Sequence, residues 1–224
     1  MIELAGVSVE RSGRQILADL DLRLSAPRIG VIGANGSGKS TFARLLNGLV
    51  LPTAGRVAID GLDTRADGGE VRRRVGFVFQ NPDNQIVYPT VGEDLAFGLK
   101  GRDVPKAEID SKVDQALDRF GLNGFADRLV HELSGGERQM VALAGVMILE
   151  PAWLVLDEPT TLLDLRNTRR VMDTVLGLDQ HVLLVTHDLA LLAGFDRVLV
   201  FDGGRLVTDA APEEAIAAYL GIIG

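Results

Sequence analysis

The 224-residue chain contains no cysteine, which excludes a disulfide framework, a thiolate metal site and a cysteine nucleophile. Basic residues are in the minority, 23 against 31 acidic, for a formal net charge of -8. Non-specific nucleic-acid binding needs a basic face, so no nucleic-acid partner is expected, although a local basic patch is compatible with this balance. Long apolar runs are also missing. The most apolar stretch, 140–149, falls well short of the roughly 20 residues that a bilayer-spanning helix needs, and it ends at Glu150-Pro151. The start, Met1-Ile2-Glu3-Leu4, lacks the basic region and apolar core of a secretory signal. Direct lipid insertion is therefore not expected, and a role at a membrane has to come through a partner. No internal repeat or low-complexity segment is visible. Against these absences stands an ordinary globular composition, 46% hydrophobic and 24% charged, enough for one large domain or two small ones.

Residues 2–9 and 20–24 alternate apolar and polar side chains, the pattern of half-exposed antiparallel strands. Residues 28–32 form a short apolar run of the buried type, followed by a glycine-rich turn and a helical pattern over 39–49. Further strands are expected at 57–61, ending in a turn, and at 75–79. Beyond Phe79 the character changes. Residues 80–85 are dense in turn formers. Thr90 and Glu93 have capping-box spacing, and 103–120 reads as an amphipathic helix with Pro105 near its start and Gly121 at its stop. Strands return at 153–156, 181–185 and 197–201, with Gly203-Gly204 as a hairpin turn to 206–208. A helix is expected at 212–220, with no extra C-terminal dimerisation region after it. The order predicts an α/β fold: a mostly parallel central sheet with helices on both faces, an N-terminal antiparallel β region and an inserted helical subdomain. In numbers, a single domain over 1–224 has a core at 1–87 and 147–224 and an insert at 88–146.

Gly33-Ala34-Asn35-Gly36-Ser37-Gly38-Lys39-Ser40 fits the pattern of a phosphate-binding loop, with a buried strand before it and a helix after it. Gly33, Gly36 and Gly38 let backbone N–H groups, including those near Asn35 and Ser37, turn inward around an anion. The helix start adds the positive end of its dipole. Lys39 is expected on the β- and γ-phosphates, the Ser40 hydroxyl on Mg²⁺, and Thr41 on a further phosphate oxygen. At the end of the strand 153–156 comes Asp157-Glu158-Pro159. Ligands in open α/β sheets sit at the carboxyl ends of strands. Because neighbouring strand residues point to opposite sides, the two acids are assigned different tasks: Asp157 in the Mg²⁺ shell, directly or through water, and Glu158 polarising an attacking water.

A second glycine motif, Leu133-Ser134-Gly135-Gly136-Glu137-Arg138-Gln139, precedes the helical run 140–149. Ser134 and Glu137 have the spacing of a capping box. That does not account for the glycine pair, which weakens a simple helix start and makes a second anion site instead. Two phosphate sites with only one lysine loop point to sites shared between two copies.

In order, the Lys39 loop, Gln80, Leu-Ser-Gly-Gly-Glu-Arg-Gln, Asp-Glu-Pro-Thr and Val-Thr-His-Asp resemble the ATP-binding subunits of ABC transporters over nearly the whole chain. The resemblance implies the ABC ATPase version of the P-loop NTPase fold, with a RecA-like core, and ATP hydrolysis with Mg²⁺. It also implies a head-to-tail homodimer in which each ATP lies between the Lys39 loop of one copy and Ser134, Gly135 and Gly136 of the other. Gln80 takes the position that touches Mg²⁺ and the attacking water, His187 the one that contacts the γ-phosphate, and Asp164 the one that reaches the dimer interface. Where the family usually places an aromatic residue against adenine, this chain has Arg11. Its guanidinium either stacks on the base or lies in solvent, and relaxed base selectivity is expected.

The segments 80–87 and 89–98 resemble the energy-coupling-factor importers, which take up vitamins and transition-metal ions. There this stretch touches a transmembrane coupling protein, and a separate membrane protein binds the substrate. A capped helix carrying Glu93 and Asp94 suits arginines of such a partner. Residues 157–167 are similar to the ATPases of biotin importers within that group. The resemblance therefore implies a peripheral ATPase on the cytoplasmic face of the inner membrane. The alternatives are a cobalt/nickel or other vitamin importer, or a soluble ABC ATPase outside transport.

Overall fold

The computed structural model describes residues 1–102 and 104–224. In chain order the strands are β1 (Ile2–Arg11), β2 (Arg14–Leu24), β3 (Arg28–Gly33), β4 (Ala54–Ile59), β5 (Leu62–Asp63), β6 (Val75–Val78), β7 (Trp153–Asp157), β8 (His181–Val185), β9 (Arg197–Asp202) and β10 (Arg205–Ala210). The helices are α1 (Lys39–Leu46), α2 (Gly68–Arg74), α3 (Val91–Lys100), α4 (Lys106–Arg119), α5 (Gly135–Met147), α6 (Leu165–Leu176) and α7 (Pro212–Ile223). The chain divides into two compact units, one of residues 1–77, 152–158 and 179–224, the other of 78–151 and 159–178.

The first unit is built on sheets. One has the order β2-β1-β4-β5, and β1 pairs antiparallel with both β2 and β4. Ile2, Leu4 and Val7 stand opposite Leu24, Leu22 and Leu20, and all six are buried. The two-residue period of Leu20, Leu22 and Leu24 selects one face for the core, and an irregularity between Leu4 and Val7 keeps β1 on that face. The other sheet has the order β10-β9-β3-β8-β7-β6. Within it β3 runs parallel to β8 and β9, β7 runs parallel to β8, and β10 returns antiparallel to β9. Its central strands are near-continuous apolar runs: Ile29, Val31 and Ile32, residues 154–156, 182–185 and 198–201 are all buried, as expected for parallel strands covered on both faces. The parallel register sets the carboxyl ends of β3, β7 and β8 along one edge. At the opposite end of β7, the Trp153 ring stacks on His181 with centroids 4.4 Å apart.

Helix α1 follows β3 directly and buries Phe42, Leu45 and Leu46, each contributing about 1.5–3 kcal/mol of apolar burial. Phe42 lies 4.9 Å from the Phe201 ring. The helical pattern read to residue 49 stops at Leu46, because Asn47 caps the helix and Gly48 turns left-handed at φ 71. Helix α2 was not foreseen. It opens on Gly68-Gly69 and buries only Val71, so neither propensity nor periodicity announces it.

The second unit is helical, with α3, α4, α5 and α6 and 3-10 turns at Pro82–Asn84 and Val130–Glu132. The amphipathic reading of 103–120 corresponds to α4, which buries Ile109, Val113, Ala116 and Leu117. The expected start at Asp103 lies outside the described residues.

Candidate functional site

Strand β3 ends at Gly33 and the chain wraps through residues 34–38 into α1. Gly38 has φ 101, and a Cβ there would lie 2.6 Å from Leu17 Cδ2 and 2.9 Å from the Ile16 carbonyl oxygen. Only glycine lets the loop pass this close to β2. The Lys39 ammonium donates to the carbonyls of Gly33 (2.8 Å) and Ala34 (2.9 Å). Burial lowers its pKa, and the charges of Glu158 and Asp157 push it back up. The Ser37 hydroxyl is buried in the loop without a hydrogen-bond partner. A loop of turned backbone, a buried ammonium and an orphaned hydroxyl suits a polyphosphate anion.

The Ser40 hydroxyl donates to Asp157 Oδ1 at 2.8 Å, and Arg44 Nη2 stands 3.4 Å from Oδ2. Asp157 is 3% exposed. Burial raises its pKa, opposed by the Ser40 bond and the Arg44 charge. Among the described residues no group of three or more His, Asp or Glu side chains forms a metal cage. A carboxylate and a hydroxyl side by side instead suit Mg²⁺, which takes one or two protein oxygens and completes its shell with phosphates and waters.

Glu158 turns away from Asp157, but not for the reason read from strand alternation. Strand β7 ends at Asp157, and Glu158 is left-handed at φ 51 while its N–H donates to the Val185 carbonyl at 3.0 Å. A non-glycine residue held there costs on the order of 1 kcal/mol, a strain found preferentially at functional sites. His187 Nδ1 lies 3.3 Å from Glu158 Oε2, with the histidine side chain 57% exposed and the glutamate 16%. Strand β8 ends at Val185, so His187 stands on the bend after it rather than at the strand's last position.

Lys39, Ser40, Thr41 and Glu158 line one cleft of about 470 Å³, within the range of small-molecule sites. Its other wall is Arg14, Gln15 and Ile16 of β2 and the hairpin glycines Gly203 and Gly204. Arg11, the residue matched to the family's aromatic, is not part of this lining. It sits at the end of β1, paired with Arg14 in the ladder. Sequence reasoning missed Arg14 and Arg44, and neither belongs to a motif that could have flagged it.

Gln80, Ser134, Gly135, Gly136 and Asp164 all lie in the second unit. Gln80 is exposed at the start of the turn-rich segment. That segment is tied to α5 through Gln85, whose amide accepts from Phe79 N (3.3 Å) and donates to the Ala142 carbonyl (2.6 Å). Arg138 adds an ion pair to Asp83 at 3.4 Å. Thr90 caps α3, but Asp94 does not present its carboxylate as expected. Its Oδ1 accepts from the N–H groups of Val87 (2.8 Å) and Tyr88 (3.1 Å). Beside exposed polar residues such as Asp83 and Glu93, this segment exposes apolar ones: Val87 is 72% exposed and Phe97 50%, with Phe97 against the Tyr88 ring at 5.1 Å.

Ser134 and Glu137 form a reciprocal capping box at the start of α5. The Ser134 hydroxyl and N–H both donate to Glu137, lowering its pKa, with Arg128 adding a smaller effect. The glycine pair divides in two. A Cβ on Gly136 would lie 2.3 Å from the Asn167 side chain, so packing against α6 explains this glycine without an anion. At Gly135 a Cβ would meet nothing nearer than Leu163 at 3.9 Å. Asp164 caps α6, accepting from Asn167 N at 2.8 Å, between the exposed side chains of Leu162 and Leu165.

Comparison with known proteins fits this geometry. The profile of the ABC transporter family matches residues 17–161. The biotin transport ATP-binding protein BioM of Rhizobium etli is 54% identical over 97% of this chain and 96% of its own length. Among solved structures, cbiO1 from Clostridium perfringens, part of the ABC transporter complex cbiONQ, superposes with a TM-score of 0.86 at 31% identity, covering 98% of this chain and 92% of that one. The dimeric ATP-binding cassette MJ0796 in a post-hydrolysis state, bound to ADP and Pi, gives 0.83 at 26% identity, covering 95% and 99%.

Proposed function

The chain belongs to the ABC transporter family of ATP-binding subunits, and on that premise we propose that it hydrolyses ATP to power biotin uptake through an energy-coupling-factor importer. The observation that carries the chemistry is the divergence of two adjacent acids. Asp157 is buried and bonded to Ser40, while Glu158 is turned by its left-handed backbone toward His187.

In this reading the triphosphate enters the Lys39 loop. The ammonium exchanges the carbonyls of Gly33 and Ala34 for phosphate oxygens, and the backbone N–H groups of residues 35–41 complete the cradle. Ser40 and Asp157 are the residues that would hold Mg²⁺, whose charge neutralises the β- and γ-phosphates. Glu158 orients and deprotonates the attacking water, and His187 steadies that carboxylate from one side. Gln80 is assigned to the same water. The subdomain at 88–146 brings Ser134, Gly135 and Gly136 of a second copy onto the γ-phosphate, with Asp164 at the joint. The 54% identity to BioM supports biotin as the cargo, and the dimeric MJ0796 cassette supports the pairing of copies.

A membrane coupling protein would dock on the segment holding Val87, Tyr88 and Phe97, and a separate membrane protein would carry the vitamin. Among the described residues no helix is long and apolar enough to cross a membrane, so attachment to the inner membrane's cytoplasmic face runs through that partner. The test is growth of a biotin-requiring uptake mutant expressing this chain with its membrane partners. Wild type rescues on trace biotin and Lys39→Ala does not. Rescue of cobalt, nickel or another vitamin's uptake, with none for biotin, replaces the cargo. A chain that hydrolyses ATP but co-purifies with no membrane protein is a soluble ATPase.

A further inference from the structure

Arg44 follows Ser40 by one turn of α1, and residues four apart share a helix face. Both reach the same acid. The Ser40 hydroxyl holds Asp157 Oδ1 at 2.8 Å, and Arg44 Nη2 lies 3.4 Å from Oδ2. Ser40 lines the cleft together with Lys39 and Thr41, whereas Arg44 is not part of that lining. The two oxygens of one carboxylate are thus divided between a residue that faces the cleft and one that does not.

A cation in the last turn of a helix suits its dipole, and that alone would account for any basic residue here. It does not account for the aim of the side chain. Arg44 Nε is buried with no hydrogen-bond partner among the described residues, a cost that a side chain swung out into water would avoid. The guanidinium instead stays against Asp157, which is buried and has no other ion-pair partner within 4 Å among the described residues.

We propose that Arg44 is a positioning residue for Mg²⁺: by holding Oδ2 it fixes the turn of the Asp157 carboxylate, so that Oδ1 stays beside the Ser40 hydroxyl, the other group that would hold the metal. This rests on the nucleotide reading of the Lys39 loop. Partners that orient a metal-ligating group are worth about 10–100-fold in metal affinity. A guanidinium near a divalent cation also repels it. The Arg44 side chain is 43% exposed, so water screens that repulsion, whereas the orientation of a buried carboxylate is not screened. Orientation therefore wins, and loss of Arg44 weakens metal binding rather than tightening it.

Calorimetric titration of the intact chain with ADP, once with Mg²⁺ and once with EDTA, reads the gain in affinity that the metal brings. Arg44→Gln is expected to cut that gain by about tenfold and to leave the EDTA value within about threefold of wild type. Mn²⁺ binding to the ADP-loaded chain, followed by electron paramagnetic resonance, should weaken by the same factor. In an Asp157→Asn background Arg44→Gln should change neither reading, because it acts through that carboxylate. Arg44→Met, which keeps the apolar stem of the side chain, takes the place of Arg44→Gln if that variant does not fold. A metal gain that is unchanged or larger without Arg44 overturns the proposal, and equal losses with Mg²⁺ and with EDTA make the residue a structural one. A loss of metal gain that persists in full in the Asp157→Asn background overturns it too. Wild type that binds ADP with no gain from Mg²⁺ removes the metal assignment of Ser40 and Asp157 and the proposal with it, and leaves the nucleotide reading standing. ADP that binds wild type in neither condition removes the nucleotide reading as well.

Discussion

The hydroxyl of Ser40 and the carboxylate of Asp157 share a 2.8 Å hydrogen bond across 117 positions of sequence. It joins the first turn of α1 to the last residue of β7. Arg44, one turn further along α1, stands against the other oxygen of the same carboxylate. One helix thus holds both oxygens of the buried acid.

That burial has a pH signature. The folded pKa of Asp157 is raised, mainly by desolvation. A group raised in the folded state stabilises the fold most at pH values below its unfolded pKa, and that contribution is lost as pH rises through the folded value. Asp157→Asn removes the term. The melting temperature of the variant relative to wild type should therefore climb from pH 4 to pH 8. A difference that stays flat across this range contradicts the assignment.

Glu158→Gln keeps the size and the left-handed backbone but cannot take a proton. Hydrolysis should fall by about 10²–10⁴-fold, as read by phosphate release. Mg-ATP should still bind, and light scattering should show a dimer that ADP does not produce. A variant that binds ATP and stays monomeric at high concentration disproves the shared site.

The two adjacent glycines of the second motif should respond differently. Gly136→Ala drives a methyl into Asn167 and should cost about 1–3 kcal/mol of stability, the range for overpacking, measured by chemical denaturation. Gly135→Ala has room and should leave stability within about 0.5 kcal/mol while weakening ATP-driven dimerisation of the Glu158→Gln background. Equal losses of stability would mean that both glycines serve packing only.

Gln85 ties the segment after β6 to the middle of α5. Gln85→Leu removes both hydrogen bonds of this bridge and should cost about 1–3 kcal/mol. A denaturation midpoint equal to wild type would show that the bridge contributes nothing.

The phosphate loop was legible because its spacing, its preceding apolar strand and its following helix all agree, and each is a local property. The paired strands at the start and the buried strands at 28–32, 153–156 and 181–185 were legible for the same reason. What escaped depends on contacts distant in sequence. Gly136 answers a second demand that nothing near it in the chain reveals, the Asn167 side chain packed where its Cβ would stand. The separation of Asp157 from Glu158 was inferred from strand alternation, whereas the strand stops at Asp157, before Glu158, and a left-handed turn does the work. Asp94 looked free to meet a partner until the fold brought the N–H groups of Val87 and Tyr88 onto it. Arg14 carried no motif at all, and only the register of β1 against β2 sets it opposite Arg11. Helix α2 opens on two glycines, so its sequence argues against the structure it adopts.

The stack of Trp153 on His181 gives the molecule a built-in optical gauge. This is the only tryptophan in the chain, so its emission comes from one place, the foot of β7. The head of that strand, four residues and about 13 Å away at the usual strand rise, is Asp157. A displacement of the acid is expected to pass along this buried strand to a fluorophore stacked on an imidazole, with Trp153 emission as its readout. Unlabelled protein can therefore signal what happens at its working end by a change in the light from the other.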